Sequence, residues 1–504
     1  MRVPVVAAVI GELLLYFGAA FGPPLVLAIL DGEAQTAVGF ATAMGIALAL
    51  GTVAHAAFRR RSELTLHRTE ALAIVAGTWL VFGSIGTIPY MFCGLSFVDS
   101  LFESISGFTT TGATILTNFN DFDRAFFLWR AMTQWFGGLG VIALFVVVLP
   151  RLGIAGRQLF FAEASDAAAD GPRPRVRAAA ARLWVLYSAL TALLVACLML
   201  TGMDAFDAVC NSLTTLSAGG FSPNGMSIAG YANPAAEWIL IPFMLISGTS
   251  FTLLYRALTG SPMAPFKDAE FRVFYGVSII GGLLVGWVFS GGLDFESVRH
   301  GLFQSASVIS STGFASQDFE LWNEQSKALL LVLMFIGGCA GSAAGGPKVV
   351  RLLIFGRYVT QSITRTIHPA AITPYKYQGK VMPGRVMRSV ISLVVLYFVG
   401  YAALGATLVL MGVEMETGFT AALACLGNIG PAYGVAGPMG SYASFSVPAK
   451  LTLTLAMWVG RLEIVTVLVL LHPDFWRNIR LKDRPSRPPR QIRVKTREEA
   501  VETV

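Results

Sequence analysis

Four stretches of small residues hold the chemistry open to this chain. The first is Ser106-Gly107-Phe108-Thr109-Thr110-Thr111-Gly112-Ala113-Thr114. Its counterparts are Leu216-Ser217-Ala218-Gly219-Gly220-Phe221, Ser310-Ser311-Thr312-Gly313-Phe314 and Gly427-Asn428-Ile429-Gly430-Pro431. Glycine frees a backbone to take dihedrals closed to other residues, which is what turning successive carbonyl oxygens inward requires. Rings of such oxygens replace the water around a monovalent cation without fixed charge, so the ion can leave as well as enter. Gly112, Gly220, Gly313 and Gly430 fall 108, 93 and 117 residues apart, and a repeat near one hundred residues argues for fourfold duplication. One glycine break in an apolar chain means little; four at equivalent places are hard to explain as helix breaks alone.

The elements around these loops are apolar. Of 504 residues, 55% are hydrophobic and 13% charged, against roughly 25% charged in soluble domains. Apolar stretches of about 20 residues match a hydrocarbon core of ~30 Å. Two open the chain, near 4–30 and 36–57, and the first reads as a retained helix rather than a signal peptide. Paired spans then flank each loop, near 71–95 and 128–149, 180–201 and 235–258, 271–292 and 325–356, and 387–413 and 448–472. A segment too short to cross, such as 97–108, precedes each loop. The expected fold is an all-α polytopic membrane protein with ten membrane-spanning helices. Four pseudo-symmetric repeats of helix, re-entrant pore helix, filter loop and helix surround a central pore, after an N-terminal two-helix hairpin. The hairpin is 1–68, the repeats are 69–178, 179–268, 269–380 and 381–475, and a basic tail is 476–504.

Lys and Arg placement orients this arrangement. Of the 37 basic residues, 31 fall at one set of ends, at Arg2, in the 59–68 loop with its Arg59-Arg60-Arg61, in the 151–182 loop, and at 256–272, 348–388 and the 477–497 tail. Both termini are thus expected in the cytoplasm, with the loops opening outward. The net charge of +7 is topological, and no nucleic-acid partner is expected. The opposite face holds sixteen Asp and Glu. Among them Asp99, Asp207 and Glu416 start the short helices, where they cap a helix dipole, gather cations, or do both. Five scattered cysteines and five scattered histidines make neither a disulfide framework nor a transition-metal site. The spans hold no nucleophile–base constellation, so an enzyme is not expected, and no cofactor is.

The unit Phe102-Glu103-Ser104-Ile105-Ser106-Gly107-Phe108-Thr109-Thr110-Thr111-Gly112-Ala113-Thr114, with its Gly-Gly-Phe, Ser-Thr-Gly-Phe and Asn-Ile-Gly-Pro counterparts, resembles the Trk/Ktr/HKT superfamily of potassium transporters. The extra N-terminal hairpin makes it most similar to TrkH-type subunits. The resemblance implies K+ uptake across a bacterial inner membrane, a homodimer, and a cytosolic TrkA-type nucleotide-binding ring. It places K+ on backbone oxygens of Thr110, Thr111 and Gly112, of Ala218, Gly219 and Gly220, of Ser311, Thr312 and Gly313, and of Asn428, Ile429 and Gly430. In plant relatives a serine at the first filter glycine goes with Na+ transport, so Gly112 favours K+.

Two further features bear on gating. The third inner span is interrupted at Gly337-Gly338-Cys339-Ala340-Gly341-Ser342-Ala343-Ala344-Gly345-Gly346-Pro347-Lys348, which cannot form a stable continuous helix. The resemblance implies an intramembrane gating loop here, with Gly341, Gly345, Gly346 and Lys348 in it; close packing of small residues is the other reading. The Gly346-Pro347-Lys348-Val349 ending breaks the phosphate-loop rule. Arg461 sits inside the fourth inner span, and an intramembrane arginine points to function. The resemblance places it below the filter in the pore, while a pair with Glu463 is the structural alternative. The basic segments suit a partner or lipid headgroups equally. A symporter coupled to H+ or Na+ and working by alternating access is the alternative mechanism.

Overall fold

The computed structural model describes residues 1–58, 68–143, 173–370, 376–378 and 380–477. Arg59-Arg60-Arg61, residues 151–172 and the basic tail from 478 lie outside the described residues. The described chain is almost wholly helical. The strands among these residues are a two-residue antiparallel ribbon pairing Lys376–Tyr377 with Lys380–Val381.

Helices α1 (Val3–Ala20), α2 (Gly22–Leu30) and α3 (Ala34–Phe58) form the N-terminal hairpin. The first unit follows as α4 (Arg68–Phe92), α5 (Phe97–Phe108) and α6 (Arg124–Ala143), and the second as α7 (Arg173–Leu200), α8 (Ala205–Leu216), α9 (Pro234–Ser247) and α10 (Phe251–Leu258). After the short α11 (Ala264–Lys267), the third unit comprises α12 (Ala269–Ser290), α13 (Phe295–Ile309), α14 (Glu324–Met334) and α15 (Val349–Ile367). The fourth is α16 (Gly384–Leu410), α17 (Met415–Leu426), α18 (Val447–Leu462) and α19 (Ile464–Leu471), closed by α20 (Pro473–Arg477).

Among the described residues six helical stretches are long and apolar enough to cross a membrane, or up to eight if each bent pair counts as one. Two expectations need correction here. The spans near 235–258 and 448–472 are not continuous: α9 and α10 meet at 104°, and α18 and α19 at 107°. The first bend falls at Gly248-Thr249-Ser250, the second at Glu463, whose φ is 65°. The third inner span is interrupted as expected, between Met334 and Val349.

The hairpin is fastened to the first unit. Trp129 of α6 stacks on Phe21 at 4.5 Å and meets Phe40 and Phe108 edge-on, contacts worth about 0.5–1.5 kcal/mol each beyond area. At the other end Arg2 donates from its guanidinium to the fully buried Glu70 at 2.8 Å.

The short helices start on polar caps. Ser96, Asp204 and Asp294 accept N–H groups of α5, α8 and α13, which satisfies donors a helix start leaves open. Hydrogen bonds from Ser297 hold the exposed Asp294 carboxyl below the usual carboxylate range. Asp99 pairs with Lys450 at 2.6 Å, and Lys327 lies 3.6 Å from Glu416, so part of the acidic excess on this face is neutralised.

Candidate functional site

Each short helix ends in the same way. The residue two positions before the loop glycine takes a left-handed conformation, with φ of 52° at Thr110, 56° at Ala218, 56° at Ser311 and 52° at Asn428. The next residue returns its N–H into the helix: Thr111 to Ser106 O, Gly219 to Thr214 O, Thr312 to Ser307 O and Ile429 to Ala424 O, all at 2.8–2.9 Å. This is a helix stop that normally uses glycine at its left-handed position. Here four other residue types bear the cost of about 1–2 kcal/mol. The loop glycines follow with φ of 81°, 79°, 82° and 102°. Left-handed, ordinary and left-handed residues in sequence align successive peptide groups on one side.

The four loops meet. A Cβ added to Gly112 would overlap the carbonyl oxygen of Gly219, one at Gly220 that of Thr312, and one at Gly313 that of Ile429. At Gly430 it would fall 2.6 Å from the oxygen of Thr111. Each glycine therefore faces the preceding residue of the next loop, and the fourth returns to the first. The ring is closed. Eight of the twelve expected residues meet across it, Thr111 and Gly112, Gly219 and Gly220, Thr312 and Gly313, and Ile429 and Gly430, and the non-glycine members of the twelve are buried. Above it opens a cavity of about 590 Å³, with Gly112, Gly220, Gly313 and Gly430 in its lining and Arg130 in its wall.

No motif in the sequence singles out Arg130. Its Nε donates to Glu103 Oε1 at 2.7 Å, and its Nη groups reach Ser222 O and Thr114 Oγ1 at 3.2 Å. Glu103 also accepts the Ile115 N–H. The pair is fully desolvated, so removing either partner strands a buried charge. The available signal was two opposite charges in otherwise apolar surroundings.

Beneath the ring lies the interrupted segment 335–348. Gly345 N–H donates to Ser311 Oγ at 2.6 Å, and a Cβ there would overlap the Gly427 carbonyl. The bend after α9 opens Ser247 and Gly248 carbonyls, which accept Ala343 and Cys339 N–H groups, while Phe251 N–H donates to Gly341 O. Gly341 and Gly346 both have φ of 76°. Lys348, itself at φ 74°, donates from Nζ to Ala344 O. The buried Glu270 of α12 takes the N–H groups of Ala340 and Val350 at 2.8 and 3.1 Å, pinning both limbs of the segment with one oxygen. Nothing in the sequence marked Glu270, whose partners lie 70 and 80 residues away.

Arg461 is buried and donates to Ala343 O at 2.8 Å and to Gly137 O at 3.2 Å. The alternative pairing with Glu463 is not made: Glu463 binds Arg351 at 2.5 Å. The left-handed residue at the bend separates the two side chains. Arg461 thus joins the third unit's segment to the first unit's inner helix.

A family model described as TrkH, cation transport protein, matches residues 38–272 and 293–477. This chain belongs to the TrkH family. Members of this family are cation transport proteins, not enzymes. The chain is 34% identical to the Trk system potassium uptake protein TrkH of Escherichia coli (strain K12), covering 95% of this chain and 100% of the relative. It is equally identical to TrkG of the same organism, over 95% and 99%. A crystal structure of the potassium transporter TrkH from Vibrio parahaemolyticus superposes with a TM-score of 0.86 at 32% identity, covering 95% of this chain and all of that one. With its apolar helices, this TrkH-family chain is a multi-pass membrane protein.

Proposed function

We propose that this chain is the pore-forming subunit of a Trk-type K+ uptake system, and that the ion passes through the ring of four loops. The observation that carries the reading is the closed ring itself, in which each loop glycine leaves no room for a side chain beside the next loop's carbonyl. Full-length relatives named as potassium uptake proteins supply the ion. In this reading backbone oxygens of Thr110, Thr111, Gly112, Ala218, Gly219, Gly220, Ser311, Thr312, Gly313, Asn428, Ile429 and Gly430 replace the water of K+. The four units at 69–178, 179–268, 269–380 and 381–475 surround one axis. The hairpin makes up ten membrane passages, two of them bent and one interrupted. The basic ends face the cytoplasm of a bacterial cell, where a TrkA-type ring docks on a homodimer.

Residues 335–348 act as the gate, held under the ring by Glu270 and Arg461. Arg461→Ala removes two charge-assisted hydrogen bonds, each worth about 1.5–3 kcal/mol. K+ flux through purified protein should rise several-fold, and a folded variant with unchanged flux would confine Arg461 to a structural role. The function itself is tested by rubidium uptake into liposomes bearing the purified chain, with Na+ and H+ gradients set separately. Uptake that follows the membrane potential alone fits a pore. Uphill uptake driven by either gradient points to a symporter.

A further inference from the structure

The second loop lacks the means by which the others brace themselves. In the first, Thr109 and Thr111 hydroxyls bond each other at 2.8 Å; in the third, Ser310 and Thr312 do so at 2.7 Å. In the fourth, Asn428 Nδ2 donates to Thr111 Oγ1 and to Met457 O, both at 2.9 Å. The second loop is Ala218-Gly219-Gly220 and has no such side chain. A side chain from another unit fills the gap. Gln134 of α6 is fully buried; its Nε2 donates to Gly219 O at 2.6 Å, and its Oε1 accepts the Phe221 N–H at 3.1 Å. A backbone carbonyl demands a donor and an N–H an acceptor, so the orientation of the carboxamide is fixed by its partners. A Cβ added to Gly219 would overlap that carboxamide. It therefore lies where Thr111, Thr312 and Ile429 carry their own side chains.

We infer that Gln134 is a specificity-determining positioning residue, standing in from the first unit for the side chain the second loop lacks. It fixes the Gly219 peptide, whose oxygen faces Gly112 in the ring. Among the described residues, no side chain donates to the equivalent oxygens of Thr111, Thr312 and Ile429. The second loop's oxygen is thus both held in place and partly engaged, so the ring is chemically uneven at this point. The inference rests on the filter reading above.

The test compares four full-length proteins in liposomes, reading rubidium uptake against Na+ competition: the parent, Gln134→Ala, Gly219→Thr, and the two changes combined. Loss of one clamp of about 1 kcal/mol corresponds to roughly a fivefold fall in K+ preference for Gln134→Ala. Gly219→Thr, which collides with the carboxamide, should fall as well. The residue at 219 has no left-handed φ, so threonine is conformationally allowed once the space is free. The combined variant should therefore recover preference above either single change. Should Gln134→Ala misfold, recovery in the combined variant still decides the matter. An unchanged ratio in Gln134→Ala, or a combined variant no better than the singles, overturns the inference. Gly112→Ser in parallel separates the two levels: if it shifts the ratio while Gln134→Ala does not, only the role of Gln134 fails, and if neither shifts it, the filter reading fails.

Discussion

Gly112→Ser should lower K+ preference over Na+ by on the order of tenfold or more, equivalent to at least ~1.4 kcal/mol. Two independent constraints act at this position. The φ of 81° is open to glycine and costs other residues about 1–3 kcal/mol. The space beside it is filled by the Gly219 carbonyl, so any Cβ must push that oxygen away or move its own loop. Either shift widens the ring on one side. A smaller, more strongly hydrated cation then loses less by entering, because a carbonyl ring discriminates by the number and placement of its oxygens. Relative rubidium and sodium permeability in liposomes measures this directly. Gly313→Ser, which faces Ile429 O with φ of 82°, should act alike.

Removing residues 341–346 should raise basal K+ flux on the order of tenfold, since each of the hydrogen bonds lost contributes about 1 kcal/mol to holding the segment under the ring. The deletion takes away the Gly345 bond to Ser311, both Ala343 contacts and the Gly341 carbonyl that receives Phe251 N–H. It is geometrically feasible because the limbs already lie side by side: Val349 N–H donates to Gly338 O at 3.1 Å, and Glu270 bridges Ala340 and Val350. Flux into liposomes without any regulatory partner is the readout. A folded deletion variant whose flux stays at the parent level would mean that the segment does not obstruct the path.

Much of the frame was legible because it rests on local rules. Apolar length set the helices, and glycine spacing marked the loops, since nothing else fits beside a neighbouring carbonyl. The short helix expected at 97–108 spans Phe97–Phe108. What stayed hidden depends on partners distant in sequence. Gln134 is 85 residues from Gly219, and Arg130 is 92 from Ser222. The left-handed residues Thr110, Ala218 and Ser311 carry no glycine to announce them; they are imposed by the helix stop and held by the ring. The bends were masked for a different reason. Gly248-Thr249-Ser250 is small and uncharged between long apolar runs, so hydropathy averaged over the stretch reads one span where the chain turns. At Glu463 the clue was present, a carboxylate inside an apolar run, but its partner Arg351 lies 112 residues upstream.

The central claim concerns where an ion sits, and anomalous X-ray scattering from crystals grown in rubidium locates it most directly. A peak on the axis enclosed by the carbonyls of Thr111, Gly219, Thr312 and Ile429 is the result expected. Rubidium absent from that ring, but ordered elsewhere along a continuous path through the chain, would contradict it.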